Sequence, residues 1–286
     1  MSALIHYRRF TEEDIAAAHA LTVELKWPHR VEDWRFVTGI GTGFAAVEGA
    51  TLVGTALCWK YGSQTASLGM VIVAPSHQGR GIGRRLTELA LEELGSRGTM
   101  LHATPAGRPL YEQLGFRAIG ALDQHQGAAL QPALVSLPPA ERLRPLGASD
   151  LPRLVELASR TSGLDRAEVL PALLETADGI GLDRDGELIG FALFRRFGRG
   201  RAIGPVVAPK TDDPFRAKAL IGHWLACNPG MFVRIDVPAE AGLTDWLEAL
   251  GLSRVDHVAK MARNGDRIAL HDDTYAQYGI INQAIC

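Results

Sequence analysis

The chain has 286 residues, about twice the roughly 100–150 residues of an ordinary domain, so its length predicts two cores. Hydrophobic residues make up 47% of the chain and charged residues 22%, which excludes a disordered or collagen-like polypeptide. Thirty Lys and Arg nearly balance 32 Asp and Glu, and the net charge of -2 gives no general attraction to nucleic acid or to an acidic membrane. Any anion site must therefore be local.

Targeting and metal signals are lacking in the sequence. No apolar stretch approaches the roughly 20 residues of a membrane-spanning helix, and the first residues show no apolar run before a cleavage site. The three cysteines, Cys58, Cys227 and Cys286, are widely spaced and form no Cys-x-x-Cys pair. We therefore expect a cytoplasmic protein with reduced thiols, no bound metal and no membrane partner.

An internal repeat divides the chain. The segment 52–57 (LVGTAL) recurs as 188–193 (LIGFAL), which sets Gly54 against Gly190, 136 positions later. The same shift sets 114–116 (LGF) against 250–252 (LGL). A constant register over separated segments predicts two copies of one domain. We place them at 1–136 and 137–265, with a C-terminal tail at 266–286.

The first copy alternates strands and helices. After a first strand and an Ala- and Leu-rich helix, the pattern predicts a β-hairpin that turns at Gly49 and Ala50. A helix follows near Gly81, with Gly95 where an αL cap is expected. This order predicts an α/β (α+β) fold in each copy. The remaining predicted elements are hairpin strands 43–48 and 51–59, strand 66–73, strand 100–103, helix 109–114 and strand 116–119.

A glycine-rich loop joins strand 66–73 to the next helix. Gly79, Gly81 and Gly83 remove side chains where backbone N–H groups converge, at the positive end of the helix dipole. Arg80 and Arg84 add positive charge to a nearly neutral chain. The loop therefore predicts a pyrophosphate site, although such turns also serve only for close packing.

The spacing of this loop matches neither common phosphate-binding motif, since it lacks the Gly-Lys-Ser/Thr of a Walker A loop and the Gly-x-Gly-x-x-Gly of a dinucleotide fold. Gln78, Gly81 and Gly83 resemble the Gln/Arg-x-x-Gly-x-Gly/Ala signature of the GNAT superfamily of acetyl-CoA-dependent N-acetyltransferases. The segment 110–116 (LYEQLGF) resembles the Leu-Tyr-x-x-x-Gly-Phe segment of that family. The resemblance covers about residues 4 to 135.

The resemblance implies two tandem GNAT-like domains, each with a mixed, largely antiparallel central sheet flanked by helices. It implies acetyl-CoA as a co-substrate, and Tyr111 as the residue that protonates the departing thiolate. Thr104 stands where many relatives carry an Asn that contacts the coenzyme. The other implied coenzyme-binding residues are the main chain of Val71, Ile72 and Val73, the loop residue Gln78, and the backbone amides of Gly79, Arg80, Gly81, Ile82, Gly83 and Arg84.

The base and the acceptor pocket stay open at this stage. His102, Glu112, Asp123 and His125 are candidate bases, and a water relay is an equal alternative. Tyr111 could also be a packing residue. Residues 24–42, including Trp27, His29 and Trp34, are one candidate wall of the acceptor pocket; Trp59, Lys60 and Tyr61 either line a substrate groove or cover a core edge.

The second copy lacks the glycine loop. Asp212 and Asp213 stand at the positions of Gln78 and Gly79, Pro214 removes an N–H donor, and Leu247 replaces Tyr111. These changes predict a degenerate copy that does not bind the coenzyme. In the tail, the apolar residues Ile280, Ile281, Ala284 and Ile285 predict a docked helical turn, and deletion of 271–286 is expected to lower the melting temperature.

The resulting hypothesis is an N-acetyltransferase that moves an acetyl group from acetyl-CoA directly to a primary amine in a ternary complex. The alternative is an acetyl-CoA-binding sensor or scaffold without catalysis. The acceptor is expected to be a small-molecule or peptide amine, with no nucleic-acid partner. Monomer and homodimer are both left open.

Overall fold

The structure is a computed structural model that describes residues 4–269 and 272–286. Within these residues, none of the helices combines the length and apolar character that crossing a membrane requires. The first run of elements contains strands β1 (Ile5–Arg9), β2 (Thr42–Glu48), β3 (Thr51–Tyr61), β4 (Thr65–Val73), β5 (Gly98–Ala103) and β6 (Arg117–Ala128), and helices α1 (Ile15–Glu24), α2 (Val31–Gly39), α3 (Ile82–Leu94) and α4 (Arg108–Gln113).

The second run repeats this order after an irregular connection at 129–140. It contains strands β7 (Glu141–Pro145), β8 (Ala177–Arg184), β9 (Glu187–Phe197), β10 (Gly200–Pro209), β11 (Phe232–Pro238) and β12 (Ser253–Arg263), and helices α5 (Leu151–Ser162), α6 (Val169–Leu174), α7 (Phe215–Cys227) and α8 (Thr244–Ala249). A last strand, β13 (Tyr275–Gly279), follows in the tail.

The repeat extends to individual ion pairs. Arg8 at the end of β1 binds the carboxylate of Asp14 at 2.7 Å, and this carboxylate also accepts the backbone N–H of Thr11 before α1. In the second copy Arg144 binds Asp150 at 2.8 Å in the same way, 136 residues later. The predicted tandem α/β fold is confirmed at this level of detail.

Most predicted elements of the first copy are confirmed, including the hairpin between β2 and β3, which turns at Gly49 with φ of +62°. Gly95 ends α3 with φ of +65° but ψ of -135°, so it is not the αL cap that the sequence predicted. The strand predicted at 116–119 runs on to Ala128, because its second half is paired in the sheet on both sides.

The two copies share one 13-stranded sheet through an exchange of strands. Its order is β1-β2-β3-β4-β5-β12-β6-β11-β10-β9-β8-β7, with β13 attached to β10. Strand β12 of the second copy lies between β5 and β6 of the first, and β6 lies between β12 and β11 of the second. Each copy is therefore completed by a strand of the other.

The pairing of β6 with β12 lies at the centre of this order. Leu122 faces Val258, its equivalent 136 residues later, so the two copies are related by an approximate twofold axis at this pair. Both side chains are buried, and Ile280 of the tail packs on them. Near one end of β6, Gly127 lies so close to the turn before β12 that an added Cβ would be 2.0 Å from the carbonyl oxygen of Gly251.

Substitution of Gly127 by Ala is expected to destabilise the whole protein, because the new methyl group must displace backbone at the junction of the copies. Overpacking of this kind costs about 1–3 kcal/mol, and the melting temperature should fall by several degrees. Gly120→Ala on the same strand is the matched control, since a Cβ there meets nothing within 4 Å. Equal melting temperatures for the two variants would contradict this account of the junction.

Candidate active site

Strands β4 and β5 begin parallel and then separate. They pair only from Thr65 to Ser67 on β4 and from Gly98 to Met100 on β5, and no pairing continues beyond. In the same stretch β4 carries an irregularity against β3, where Met70 has φ of +51° and its carbonyl accepts the Thr55 hydroxyl at 2.8 Å. A cleft therefore opens between the two strands, and its β4 edge is main chain.

The glycine loop, residues 74–81, closes one end of this cleft. Gly79 and Gly81 have φ of +75° and +78°, a left-handed conformation that glycine adopts at little cost, and no atom lies within 4 Å of where their Cβ atoms would be. Gly81 is the residue before α3, and the N–H groups of Ile82 and Gly83 in the first turn have no helical acceptor. The first turn of α3 thus presents the amide donors of Ile82 and Gly83, and the glycines before it leave open space.

Some side chains of the loop and of the first turn of α3 line the cavity, and others lie on the surface. Gln78 lines the cavity and donates from Nε2 to the Val73 carbonyl at 3.2 Å, so it ties the loop to β4. Arg84 also lines the cavity and contacts the Gln113 side chain. Arg80 pairs instead with Glu48 at 3.0 Å. Ile72 is buried in the core, so it can contribute only main-chain groups here.

Tyr111 projects from α4 into the same cavity. Its side chain is buried with 8% exposure and packs edge-on against Phe116, with ring centroids 6.0 Å apart. Burial raises the pKa of the phenol, so it stays protonated. Its hydroxyl makes no hydrogen bond with any described residue. Thr104, also in the wall, accepts the Gly107 N–H on its hydroxyl at 3.2 Å.

Of the four candidate bases, the structure brings only His102 to the cavity. Glu112 is on the surface and pairs with Arg108 at 2.7 Å. Asp123 is buried in the β6–β12 junction, where it contacts His257 Nδ1 at 2.7 Å. His125 is fully buried there, with Nδ1 3.0 Å from the Leu252 carbonyl. As bases, Glu112, Asp123 and His125 are therefore wrong, because strand pairing and surface position keep them from the cavity.

His102 on β5 is held in one orientation. Its Nδ1 lies 2.9 Å from the carbonyl oxygen of Gln283, which can only accept, so Nδ1 carries the proton. Its Nε2 is buried and has no partner among the described residues. Burial lowers the pKa of His102 to about 3, so the ring is neutral at physiological pH.

The wall of the cavity beyond the glycine loop was only partly predictable from the sequence. Trp27 and His29 line it, as expected for residues 24–42, but Trp34 is fully buried in the core. Trp59 and Tyr61 are also core residues, which favours the core-edge alternative over a substrate groove.

The remaining wall comes from residues that the sequence did not indicate. The cavity has a volume of about 790 Å³ and runs from the glycine loop to side chains of β6, the second copy and the tail. No short motif marks these residues, since they come from β6, from the second copy and from the tail, and only the fold brings them together. They are Gln124, Gln126, Phe197, Arg234, Val255, Asp256, Asn282, Gln283 and Ala284.

The equivalent cleft of the second copy is filled by its own chain. Strands β10 and β11 pair only from Arg201 to Ile203, as β4 and β5 do. Beyond that point β13 pairs with β10 from Val206 to Pro209, and Val206 and Val207 correspond to Ile72 and Val73. The main-chain edge that is open in the first copy is thus hydrogen-bonded in the second.

The chemical groups are also replaced in the second copy. The Asp213 carboxylate accepts a hydrogen bond from Lys218 Nζ at 2.6 Å where the glycine loop would lie. Leu247, at the position of Tyr111, is fully buried in the core.

The rest of the tail borders the open cleft of the first copy. The Ser67 hydroxyl donates to the Ala284 carbonyl at 3.1 Å, and a Cβ on Gly69 would lie 2.8 Å from the Ala284 Cα. Buried Arg166 donates to the Ile285 carbonyl at 2.8 Å and contacts the Cys286 carbonyl. Ile280, Ile281, Ala284 and Ile285 are all buried, and the chain makes a single turn at 283–285 that does not continue as a helix; residues 270 and 271 of the tail lie outside the described residues.

Comparison with known proteins agrees with this architecture. The Acetyltransferase (GNAT) family model matches residues 8–116, and an Acetyltransferase (GNAT) domain model matches residues 154–279. An uncharacterised N-acetyltransferase of Bacillus subtilis, YitH, is 30% identical over 194 residues, which cover 66% of this chain and 67% of the relative. The chain belongs to the GNAT acetyltransferase family.

Solved GNAT structures share the tandem fold. A Pyrococcus horikoshii chain, named only provisionally as an acetyltransferase, superposes with a TM-score of 0.78 at 22% identity, covering 99% of this chain and 96% of that one. A tandem GNAT protein from the clavulanic acid biosynthesis pathway has a TM-score of 0.62 at 16% identity, covering 91% and 98%. The two matched family models and these folds together show the tandem GNAT form for this chain.

Replacement of Arg166 by Met is expected to loosen the tail, because it removes the donor to Cys286 and leaves the Ile285 carbonyl with the Tyr61 hydroxyl alone. Loss of charged hydrogen bonds of this kind costs about 2–4 kcal/mol, so the melting temperature should fall and amide exchange at 280–286 should accelerate. Arg117→Met, at an exposed position on β6, is the control. Unchanged exchange in the Arg166 variant would show that the tail is held by other contacts.

Proposed function

We propose that the first copy of this GNAT protein transfers an acetyl group from acetyl-CoA directly to the primary amine of a small molecule or peptide, in a ternary complex. One observation carries the proposal: a single cavity joins the amides of Ile82 and Gly83 in the first turn of α3, the unbonded hydroxyl of Tyr111 and a separate polar wall. The second copy, whose edge is covered by β13, serves as a structural partner.

The residues of the first copy fit acetyl-CoA. The amides of residues 79–84 and the Arg84 guanidinium suit a pyrophosphate, because helix N-termini and arginine both favour anions. The β4 edge from Val71 to Val73 offers main-chain groups to the amides of the pantetheine arm. When bound, acetyl-CoA supplies an acetyl group activated as a thioester, and its thiol is released as the new amide bond forms.

Two groups of the chain act on the charge that develops during transfer. Main-chain N–H groups of β4 polarise the acetyl carbonyl, and preorganised donors of this type stabilise an oxyanion more than water does. Tyr111, kept protonated by its raised pKa, donates its O–H toward the sulfur as negative charge appears there.

His102 receives the amine of the acceptor. Because Nδ1 donates to Gln283, the Nε2 lone pair is the free position and can accept an N–H of the amine or an O–H of a bound water. With a pKa of about 3, His102 holds a proton only weakly. The amine proton therefore passes on to water, and His102 orients the attacking nitrogen rather than storing the proton.

The Tyr111→Phe variant tests the proposal in a coupled assay of free thiol over a panel of amines, with the product identified by mass. We expect kcat to fall by about 100-fold, because loss of a proton donor commonly costs this much, while acetyl-CoA affinity changes little. Tyr7→Phe on β1 is the control. An unaltered kcat would remove Tyr111 from the mechanism.

Two measurements on the unmodified protein distinguish an enzyme from a non-catalytic sensor. Calorimetric titration should give one acetyl-CoA per chain, and thiol release should require an amine. Binding without amine-dependent release would support the sensor, and two equivalent sites per chain would contradict the structural role given to the second copy.

The pH profile follows from the low pKa of His102. A ring that is neutral from about pH 4 upward adds no ionisation between about pH 6 and 8, where histidine ordinarily titrates. The value of kcat/KM should thus rise with pH until the acceptor amine is deprotonated, and its midpoint should move when the acceptor is changed. A fixed inflection near the ordinary pKa of histidine that is lost in His102→Gln would contradict this assignment.

A further inference from the structure

The acceptor end of the cavity carries an excess of positive charge. The charged residues that line the cavity as a whole, histidine apart, are Lys26, Arg84, Arg234 and Asp256. Arg84 belongs to the glycine loop end, and Asp256 lies on β12 opposite Gln124. Arg234, on β11 of the second copy, is the one buried cation of this set, with 8% exposure.

Arg234 uses only part of its guanidinium within the protein. Its Nε and Nη2 bind both oxygens of Asp236 at 2.8–3.2 Å. Its Nη1 makes no hydrogen bond with any described residue. A guanidinium has five N–H donors in a planar fork, so one edge is fixed by Asp236 and further donors remain for a ligand.

A second buried arginine adds charge behind this position. Arg195 is 5% exposed, its Nη2 donates to the Ile281 carbonyl at 3.1 Å, and its Nε has no partner. The nearest carboxylate, Asp33, lies 3.9 Å away and already pairs with Arg30 at 2.9 Å. Three guanidiniums thus share the two carboxylates of Asp33 and Asp236.

The aromatic wall connects both arginines to the cavity. The Arg195 and Arg234 guanidinium carbons lie 4.9 Å and 5.3 Å from the centre of the Phe197 ring, which lines the cavity. His29, packed edge-on against Phe197, is neutral because burial, and then Arg234, lower its pKa to about 4. A second cation is therefore disfavoured at this end, and an anion is favoured.

We infer that the acceptor is an amine that carries a carboxylate, and that the carboxylate binds Arg234 while the amine faces His102 and Tyr111. Gln124 and Gln126 beside Arg234 supply neutral hydrogen-bonding groups around it. The inference rests on the proposed function. It excludes polyamines as preferred acceptors, because their second ammonium group would lie against Arg234.

Matched pairs of amines test the inference in the thiol-release assay: 4-aminobutyrate with butylamine, L-lysine with 1,5-diaminopentane, and L-phenylalanine with 2-phenylethylamine. We expect kcat/KM to be at least about tenfold higher for the carboxylate-bearing member of a pair, the effect of one charge-assisted hydrogen-bonded pair. Equal or higher values for the decarboxylated amines would overturn the inference and leave the proposed function intact.

The double variant Arg234→Gln/Asp236→Asn removes the site without leaving a buried unpaired carboxylate. Discrimination within each pair should fall to about twofold or less, whereas the affinity for acetyl-CoA, measured by calorimetry, should not change. Arg199→Gln, which alters an exposed guanidinium over Phe232, is the control and should keep the discrimination. Retained discrimination in the folded double variant would overturn the assignment to Arg234.

If the protein shows no catalysis, a binding measurement can still test the inferred carboxylate site. With no thiol release for any amine, the proposed function is wrong, and calorimetry of butyrate and butylamine with the intact protein replaces the assay. Tighter binding of butyrate that is lost in the double variant supports the carboxylate site. Equal binding of the two probes overturns it.

Discussion

The antiparallel pairing of β6 with β12 is the interaction on which the rest of the molecule depends. Each of these strands completes the sheet of the other copy, so neither β5 nor β11 is left with an unpaired inner edge. The same pairing sets Gln124, Arg234 and Asp256 around the cavity that the glycine loop of the first copy also lines. The continuity of the sheet and the composition of the cavity wall therefore share one structural origin.

Features that rest on neighbouring residues could be predicted from the sequence, and features that rest on strand exchange could not. The hairpin at Gly49 and the helix start at Gly81 follow from local backbone preferences. The position of β12 beside β5 joins segments more than 150 residues apart, and an alternating pattern does not say which edge a strand will join. Asp123 and His125 were mistaken for candidate bases for this reason, since their burial is a product of the exchange.

The nearly zero net charge conceals a strongly uneven distribution. The glycine loop of the first copy is basic, whereas the equivalent loop of the second is acidic at Asp212 and Asp213. A second concentration of charge, around Arg195 and Arg234, is assembled from strands β9 and β11 together with the first copy's α2. The net charge does not reveal such sites. Opposite charges that lie far apart cancel in the sum of charges, but they do not cancel in the electric field near each site.

The tail removes the equivalence that the approximate twofold axis would otherwise impose. Two identical copies would present two identical clefts, but the segment that includes β13 occurs once for the pair. It fills one cleft as a strand and borders the other with the loop from Asn282 to Ala284. A cleft that is filled by its own chain has no room for a ligand and needs no ligand-binding side chains. Symmetry breaking by one short segment thus accounts for the difference between the buried Leu247 of the second copy and Tyr111 in the cavity of the first.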